Sequence, residues 1–313
     1  MWKILRLIRI RTIAFAALTM YAMRYLVIRP MLEVNGFELQ MTDKAFTLLV
    51  IAVCALISGA YVINDYFDTR TDRISGVKEV VVGKSISRRV AISLHTSLNI
   101  VAVLIAFYLG YSVGLWKIGI LFLLASVILW FYSSTYKKRF LIGNLLVGFM
   151  ASLIPVSAIV YEVPLLDRAY AETGIHFIYM FYWVFGFSWF IFLNSLMYEI
   201  NKDIYTIGGD RESGNQTIPV RMGVKKASDI ICGLVLLSIV SAVIIYWVEF
   251  SSSLLILGYV LLAIILPYIF YIISVRNRKG NRKFQLRMIR LIMVLCLGIS
   301  VFLKHFFLLL YTD

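Results

Sequence analysis

Four hydrogen-bonding or anionic side chains sit at the foot of a long apolar run: Asn64, Asp65, Asp68 and Asp72, within Asn64-Asp65-Tyr66-Phe67-Asp68-Thr69-Arg70-Thr71-Asp72. If a helix continues through them, 3.6 residues per turn confines them to an arc of about 100°. Carboxylates that close repel, so the stripe needs a cation or basic groups beside it. Hard oxygen donors on one face, completed by oxygens from a substrate, suit Mg²⁺. The pattern occurs twice: Asp72-Arg73-Ile74-Ser75-Gly76 recurs as Asp210-Arg211-Glu212-Ser213-Gly214. At that offset of 138 residues Asp65 meets Asp203, Asp72 meets Asp210, and Asp68 meets Thr206. One acidic turn would pass as a helix cap or a solvated face. Two in register, in a chain with only 17 acidic residues, point instead to metal and anion binding.

Two facing carboxylate clusters bind divalent ions together when an anion bridges them, and a diphosphate does this well. Basic residues near the stripes, Arg70, Lys84, Lys137, Lys202 and Arg211, would pair with its remaining oxygens. The metals would act as Lewis acids on a diphosphate leaving group. An apolar cavity lined by Phe, Tyr, Trp and Met would hold a hydrocarbon tail, and aromatic faces would stabilise an allylic cation. The chemistry that fits is ionisation of a prenyl diphosphate inside a membrane.

The elements that must position these residues are membrane helices. A chain of 313 residues, 61% apolar and 15% charged, with a mean hydropathy of +0.87, is not an ordinary soluble domain. Its net charge of +14 falls in short loops between apolar runs, so topology and anionic headgroups explain it better than nucleic acid does. Apolar spans are expected near 13–28, 46–63, 90–109, 115–131, 141–160, 177–198, 230–248, 254–275 and 288–310. Each is long enough for a ~30 Å hydrocarbon core, and only closed backbone bonding is stable there. The expected fold is an all-α polytopic bundle of nine transmembrane helices around a central cavity, one domain over residues 1–313. The offset makes it a parallel pseudo-repeat with halves near 40–140 and 175–275, capped by loops 64–89 and 199–229.

Of the 31 Lys and Arg residues, 25 fall on the N-terminal side, counting the N-terminus with loops 2–3, 4–5, 6–7 and 8–9. By the positive-inside rule the N-terminus and both acidic stripes face the cytoplasm, in the inner membrane of the cell. Residues 1–11 read as a short amphipathic segment on the membrane surface. Arg24, roughly 16 Å along the first span, reads either as functional or as snorkelling toward Arg29. Cys54, Cys232 and Cys296 lie in separate apolar runs and form neither a disulfide framework nor a zinc site.

Asn64-Asp65-x-x-Asp68-x-x-x-Asp72 resembles the first aspartate motif of the UbiA superfamily of intramembrane prenyltransferases. Tyr132-Ser133-x-x-Tyr136-Lys137-Lys138, followed by Gly143-Asn144, resembles the stretch after that family's fourth helix. Glu199-x-x-Lys202-Asp203, then Gly209-Asp210-Arg211-x-x-Gly214-x-x-Thr217-Ile218-Pro219, resembles its second motif. The likeness covers essentially the whole chain. It implies that Asn64, Asp68, Asp72, Asp203 and Asp210 hold Mg²⁺, and that the four aspartates with Lys137 are catalytic. Substrate contacts would come from Asn64, Asp65, Arg70, Lys84, Tyr136, Lys137, Asn144, Asn194, Lys202 and Arg211. The chain departs from the pattern at Thr206, where the family has an aspartate, and at Lys78-Glu79-Val80, where it often has Arg-Pro.

The implied reaction is Mg²⁺-dependent transfer of a polyprenyl group from an allylic prenyl diphosphate to a lipid-soluble acceptor, either a quinone-type aromatic precursor or a prenylglycerol phosphate. The second motif most resembles the branch that geranylgeranylates geranylgeranylglycerol phosphate. The alternatives are a cation-coupled transporter and a catalytically weakened lipid-binding homologue. His95 reads as a hydrogen-bonded helix residue, and Tyr132 and Tyr198 as an interfacial aromatic belt.

Overall fold

A computed structural model describes residues 2–76, 80–277 and 280–310, and Lys78 and Glu79 lie outside them. The described residues form no strand. Helix α1 spans Trp2–Leu7, α2 Ile10–Val34, α3 Asp43–Phe67, α4 Thr69–Ser75, α5 Arg88–Ser112, and α6 Ile118–Ser134. Then come α7 (Ile142–Ser157), α8 (Glu162–Ala169), α9 (Met180–Tyr205), α10 (Ile207–Glu212), α11 (Ile218–Glu249), α12 (Leu254–Arg276) and α13 (Arg282–Leu310).

Eight helices are long and apolar enough to cross a membrane, with Ile142–Ala169 taken together. The ninth expected span, α6, has 17 residues, which is about 25 Å of helix and short of a full hydrocarbon core. The protein is an integral, multi-pass, all-helical membrane protein. Thr42 caps α3 by accepting from Ala45 N at 3.3 Å, and Ser87 caps α5 by accepting from Val90 N at 3.2 Å. Two π-helical turns, Met23–Ile28 and Val260–Ile265, each end just before a proline, Pro30 and Pro267. A wider turn absorbs the carbonyls that the proline leaves without donors. Gly223 takes φ 83° inside α11, so the first turn of that helix is angled away from the membrane-crossing part.

Helix α9 is central: it packs on α7, α11 and α13, while α3 packs on α5 and α6. The connections expected as loops at 64–89 and 199–229 are largely helical, because α9 runs on to Tyr205 and α4, α10 and the start of α11 are themselves helices. At the end of the bundle away from the acidic segments, Arg24 is 2% exposed and does not snorkel. Its guanidinium donates to Glu162 Oε2 at 3.1 Å, to Asp43 Oδ1 at 3.1 Å and to the Met41 carbonyl. Glu162 in turn accepts from Met41 N at 3.2 Å. A buried charge fixed on both sides in this way ties α2 to α8.

Candidate functional site

Both acidic segments are built on a bend. Helix α3 ends at Phe67, Asp68 has φ −81° and ψ −3°, and α4 follows. Helix α9 ends at Tyr205, Thr206 has φ −102° and ψ 10°, and α10 follows. The continuous helix expected through each stripe is therefore interrupted at equivalent positions. The backbone ladder nevertheless passes through. Asp68 N donates to Asn64 O and Asp72 N to Asp68 O, both at 2.9 Å. Thr206 N donates to Lys202 O at 2.9 Å, and Asp210 N to Thr206 O at 3.1 Å. Each stripe keeps its face.

The short helices α4 and α10 pack against one another and bring the stripes together. Gly209 is what lets them approach. A Cβ there would lie 2.8 Å from the Thr71 carbonyl oxygen and 2.7 Å from Ser75 Cβ. Gly143 does the same for the turn bearing Lys137, since its Cβ would lie 2.9 Å from Lys137 Cα. Gln216 N donates to Lys138 O at 2.8 Å and ties that turn to the second segment.

Between these elements lies a cavity of about 1230 Å³. Asn64, Asp68, Asp72, Lys137, Lys202, Asp203 and Asp210 all line it, as does Thr206. Much of its remaining lining is apolar, with Val53, Leu56, Phe122, Leu129, Met150 and Ile154 among it, and Arg6, Arg11 and Ser195 line it too. The Lys137 ammonium donates to Asn64 Oδ1 at 2.7 Å and makes an ion pair with Asp68. Across the cavity, Asn144 donates to Asp203 Oδ2 at 2.9 Å and Asn215 donates to Asp210 Oδ1 at 2.8 Å. Thr206 Oγ1 lies 3.0 Å from Asp210 Oδ2. Lys202 pairs with Glu199 at 2.6 Å. Among the described residues no three or more His, Cys, Asp or Glu side chains come together as a ready-made metal site.

Several expected contacts fall elsewhere. Asp65 turns away from the cavity and meets Arg9 at 3.4 Å, because it lies 100° round the helix from Asn64. Asn194 accepts from Tyr268 Oη at 3.0 Å and donates to the Phe190 carbonyl, a helix-to-helix contact inside the bundle. Asn144 does not line the cavity; it acts on it through Asp203. Arg70, Lys84 and Arg211 are exposed and do not line it, since they sit on the outer faces of α4, the following turn and α10. Tyr136 also stays outside, with the Arg139 guanidinium 5.5 Å from its ring. His95 is a buried structural residue, its Nδ1 2.9 Å from the Gly59 carbonyl oxygen.

Other residues enter the site that the motifs did not mark. Tyr132 and Tyr198 line the cavity instead of forming an interfacial belt, and Tyr61, Glu199 and Asn215 join them. Arg9, at the end of the segment expected on the membrane surface, also lines it, 4.3 Å from the Tyr61 ring centre. Burial acts to lower the Arg9 pKa, but the neighbouring Asp65 carboxylate holds it above the ordinary arginine range. Arg287 and Arg290 of α13 line the same cavity. The signal for them was in the sequence: basic residues at i and i+3 inside an apolar helix need a polar face.

The sequence matches the UbiA prenyltransferase family over residues 34–308. The chain belongs to that family. It is a membrane prenyltransferase, and the transporter alternative falls away. Among relatives of the UbiA family, it is 28% identical over 261 residues to the digeranylgeranylglyceryl phosphate synthase of Sulfurisphaera tokodaii, covering 83% of this chain and 84% of that one. To the enzyme of the same name from Methanothermobacter thermautotrophicus it is 27% identical over 212 residues, 68% of each chain. The fold is shared with solved UbiA homologues. One from Aeropyrum pernix superposes with a TM-score of 0.65 at 15% identity, covering 91% of this chain and 96% of that one. One from Archaeoglobus fulgidus, bound to DMAPP and Mg²⁺, gives 0.62 at 16% identity, covering 97% and 99%.

Proposed function

We propose that the protein transfers a polyprenyl group from an allylic prenyl diphosphate to the hydroxyl of a prenylglycerol phosphate within the bilayer. The observation that carries this reading is that both acidic segments, Lys137 and Lys202 line one cavity whose remaining lining is largely apolar. The names of the curated relatives support the acceptor class.

The donor set fits a hard divalent cation. Asn64, Asp68 and Asp72 on one side, and Asp203 and Asp210 on the other, offer only oxygens, and Lys137 now places a positive charge on the first set. In this reading those five residues hold Mg²⁺ with the diphosphate. Bound there, the metal supplies positive charge to the leaving diphosphate oxygens. Lys137 and Lys202 pair with the non-bridging oxygens. The apolar lining orients the chain and excludes water, while Tyr132 faces the developing allylic cation. The C1–O bond to diphosphate breaks, the acceptor oxygen bonds to C1, and the hydroxyl proton leaves to water at the cavity mouth. In this reading the N-terminus and the acidic segments face the cytoplasm, α4, α10 and their flanks form a cap, and the two half-chains are a repeat; the excess of Lys and Arg in the loops on that side supports the orientation.

The test is a purified protein in nanodiscs with radiolabelled geranylgeranyl diphosphate and geranylgeranylglycerol phosphate. A Mg²⁺-dependent ether product is expected, abolished by Asp68→Ala. Wild-type protein that forms no product with this acceptor, yet prenylates an aromatic one, would overturn the acceptor assignment.

A further inference from the structure

Seven Lys and Arg side chains line the cavity against five Asp and Glu. The acidic ones belong to the two stripes or, as Glu199, already pair with a lysine. The excess positive charge comes from residues outside the two stripes, among them Arg9 from the N-terminus and Arg287 and Arg290 from α13, all of which line the cavity with Tyr198. Arg290 donates to Tyr198 Oη at 2.8 Å, with its guanidinium 5.1 Å from the ring centre. Arg9 lines the same cavity and is held in place by Asp65 at 3.4 Å and by the Tyr61 ring, 4.3 Å from its guanidinium. Neither Arg287 nor Arg290 makes an ion pair among the described residues. Arg290 lies eight residues into a membrane-crossing helix, about 12 Å along its axis. An exposed guanidinium hydrogen-bonded to a phenol and lining a cavity is open to an anionic ligand. The cavity volume of about 1230 Å³ also exceeds what one small ligand fills, roughly 300–1,000 Å³.

Resting on the acceptor reading above, we propose that Arg290 and Arg9, with Arg287 beside them, form a second anion subsite that grips the phosphate monoester of the acceptor. Tyr198 is one turn and a half of α9 before Asp203, about 8 Å along the axis. That spacing leaves the acceptor hydroxyl, a few bonds from its phosphate, able to reach the reacting carbon. Guanidinium forks suit a phosphate monoester, and a neutral acceptor would leave them uncompensated. Asp65, which points away from the stripe, acts here as a positioning residue for Arg9.

The experiment compares geranylgeranylglycerol phosphate with geranylgeranylglycerol as acceptors, in phosphatidylcholine nanodiscs, for wild type, Arg290→Gln, Arg9→Gln and Asp65→Asn. The control is Arg276→Gln, whose side chain pairs with Asp229 at 3.6 Å and does not line the cavity. Wild type and control should prefer the phosphorylated acceptor. Arg290→Gln and Arg9→Gln should raise the acceptor KM at least tenfold and erase most of that preference, with the donor KM within about twofold. Asp65→Asn should raise the acceptor KM by less, with the half-saturating Mg²⁺ concentration unchanged. Variants that keep the preference, or that raise the donor KM instead, would overturn the arginine subsite while leaving prenyl transfer standing. Wild type that releases diphosphate but ignores the phosphorylated acceptor would overturn both readings. A deficit that appears only when phosphatidylglycerol replaces phosphatidylcholine would assign the arginines to a lipid headgroup and also overturn the proposal.

Discussion

At the first acidic segment a lysine ammonium lies on Asn64 and Asp68; at the second, Asp203 and Asp210 rest on the amides of Asn144 and Asn215 and on the hydroxyl of Thr206. The backbone bend is the same in both. The difference lies in how charge is balanced. Lys137 already pairs with Asp68 in the first set, so an incoming cation competes with it there. Neutral dipoles hold the second set in position without cancelling its charge, so that side is arranged for a cation in advance. In the proposed reading, a bound diphosphate would resolve the competition by giving Lys137 a new anionic partner and freeing Asp68.

Removing a carboxylate from either side should have the largest effect. Asp68→Ala and Asp203→Ala are each expected to lower kcat/KM for the donor by about 10²–10³-fold, measured as diphosphate release. If one of them retained near wild-type rates, the two sides would not share one ligand. Next comes Gly209→Ala, which forces α4 and α10 apart at their closest approach. It should cost about 1–3 kcal/mol in stability and lower activity with both halves chemically intact. Unchanged activity would show that the crossing tolerates separation.

Lys137→Met separates the two halves most sharply. In the absence of substrate it should bind Mn²⁺ more tightly than wild type, because Asp68 loses its competitor, while kcat/KM for the donor falls. Weaker metal binding would mean that the lysine organises the site and does not compete with metal. Asn144→Ala acts on the other half and should weaken metal binding and turnover together, by about tenfold. The smallest effect is expected from Thr206→Asp. It should lower the half-saturating Mg²⁺ concentration and leave the rate at saturation equal or higher. A large loss would show that the hydroxyl beside Asp210 has a role of its own.

The helical bundle and the pairing of Asn64, Asp68 and Asp72 with Asp203 and Asp210 could be read from the chain, because apolar run length and a register offset survive folding. The directions of single side chains could not. Asp65 lies one position from Asn64 and faces a different partner, and Arg70 and Arg211 follow the stripes in sequence yet project outward from short helices. The α3–α4 and α9–α10 bends were also hidden, since no proline or glycine marks Asp68 or Thr206. Long-range contacts escaped most completely. Nothing local to Arg9 or Arg290 says that the first and last helices close on one cavity.

The clasp between Arg24 and Glu162, 138 residues apart, bears on how the molecule is made. When the ribosome has delivered only the first helix, that arginine has neither carboxylate partner; Asp43 arrives with the next helix, and Glu162 only after more than half of the chain has been made. The opening helix is therefore held first by the exposed Asp43 pair and locked into the bundle only once Glu162 has been made. Glu162→Gln should leave the full chain inserted yet lower its thermal unfolding midpoint in detergent, because the buried guanidinium then keeps only its exposed partner.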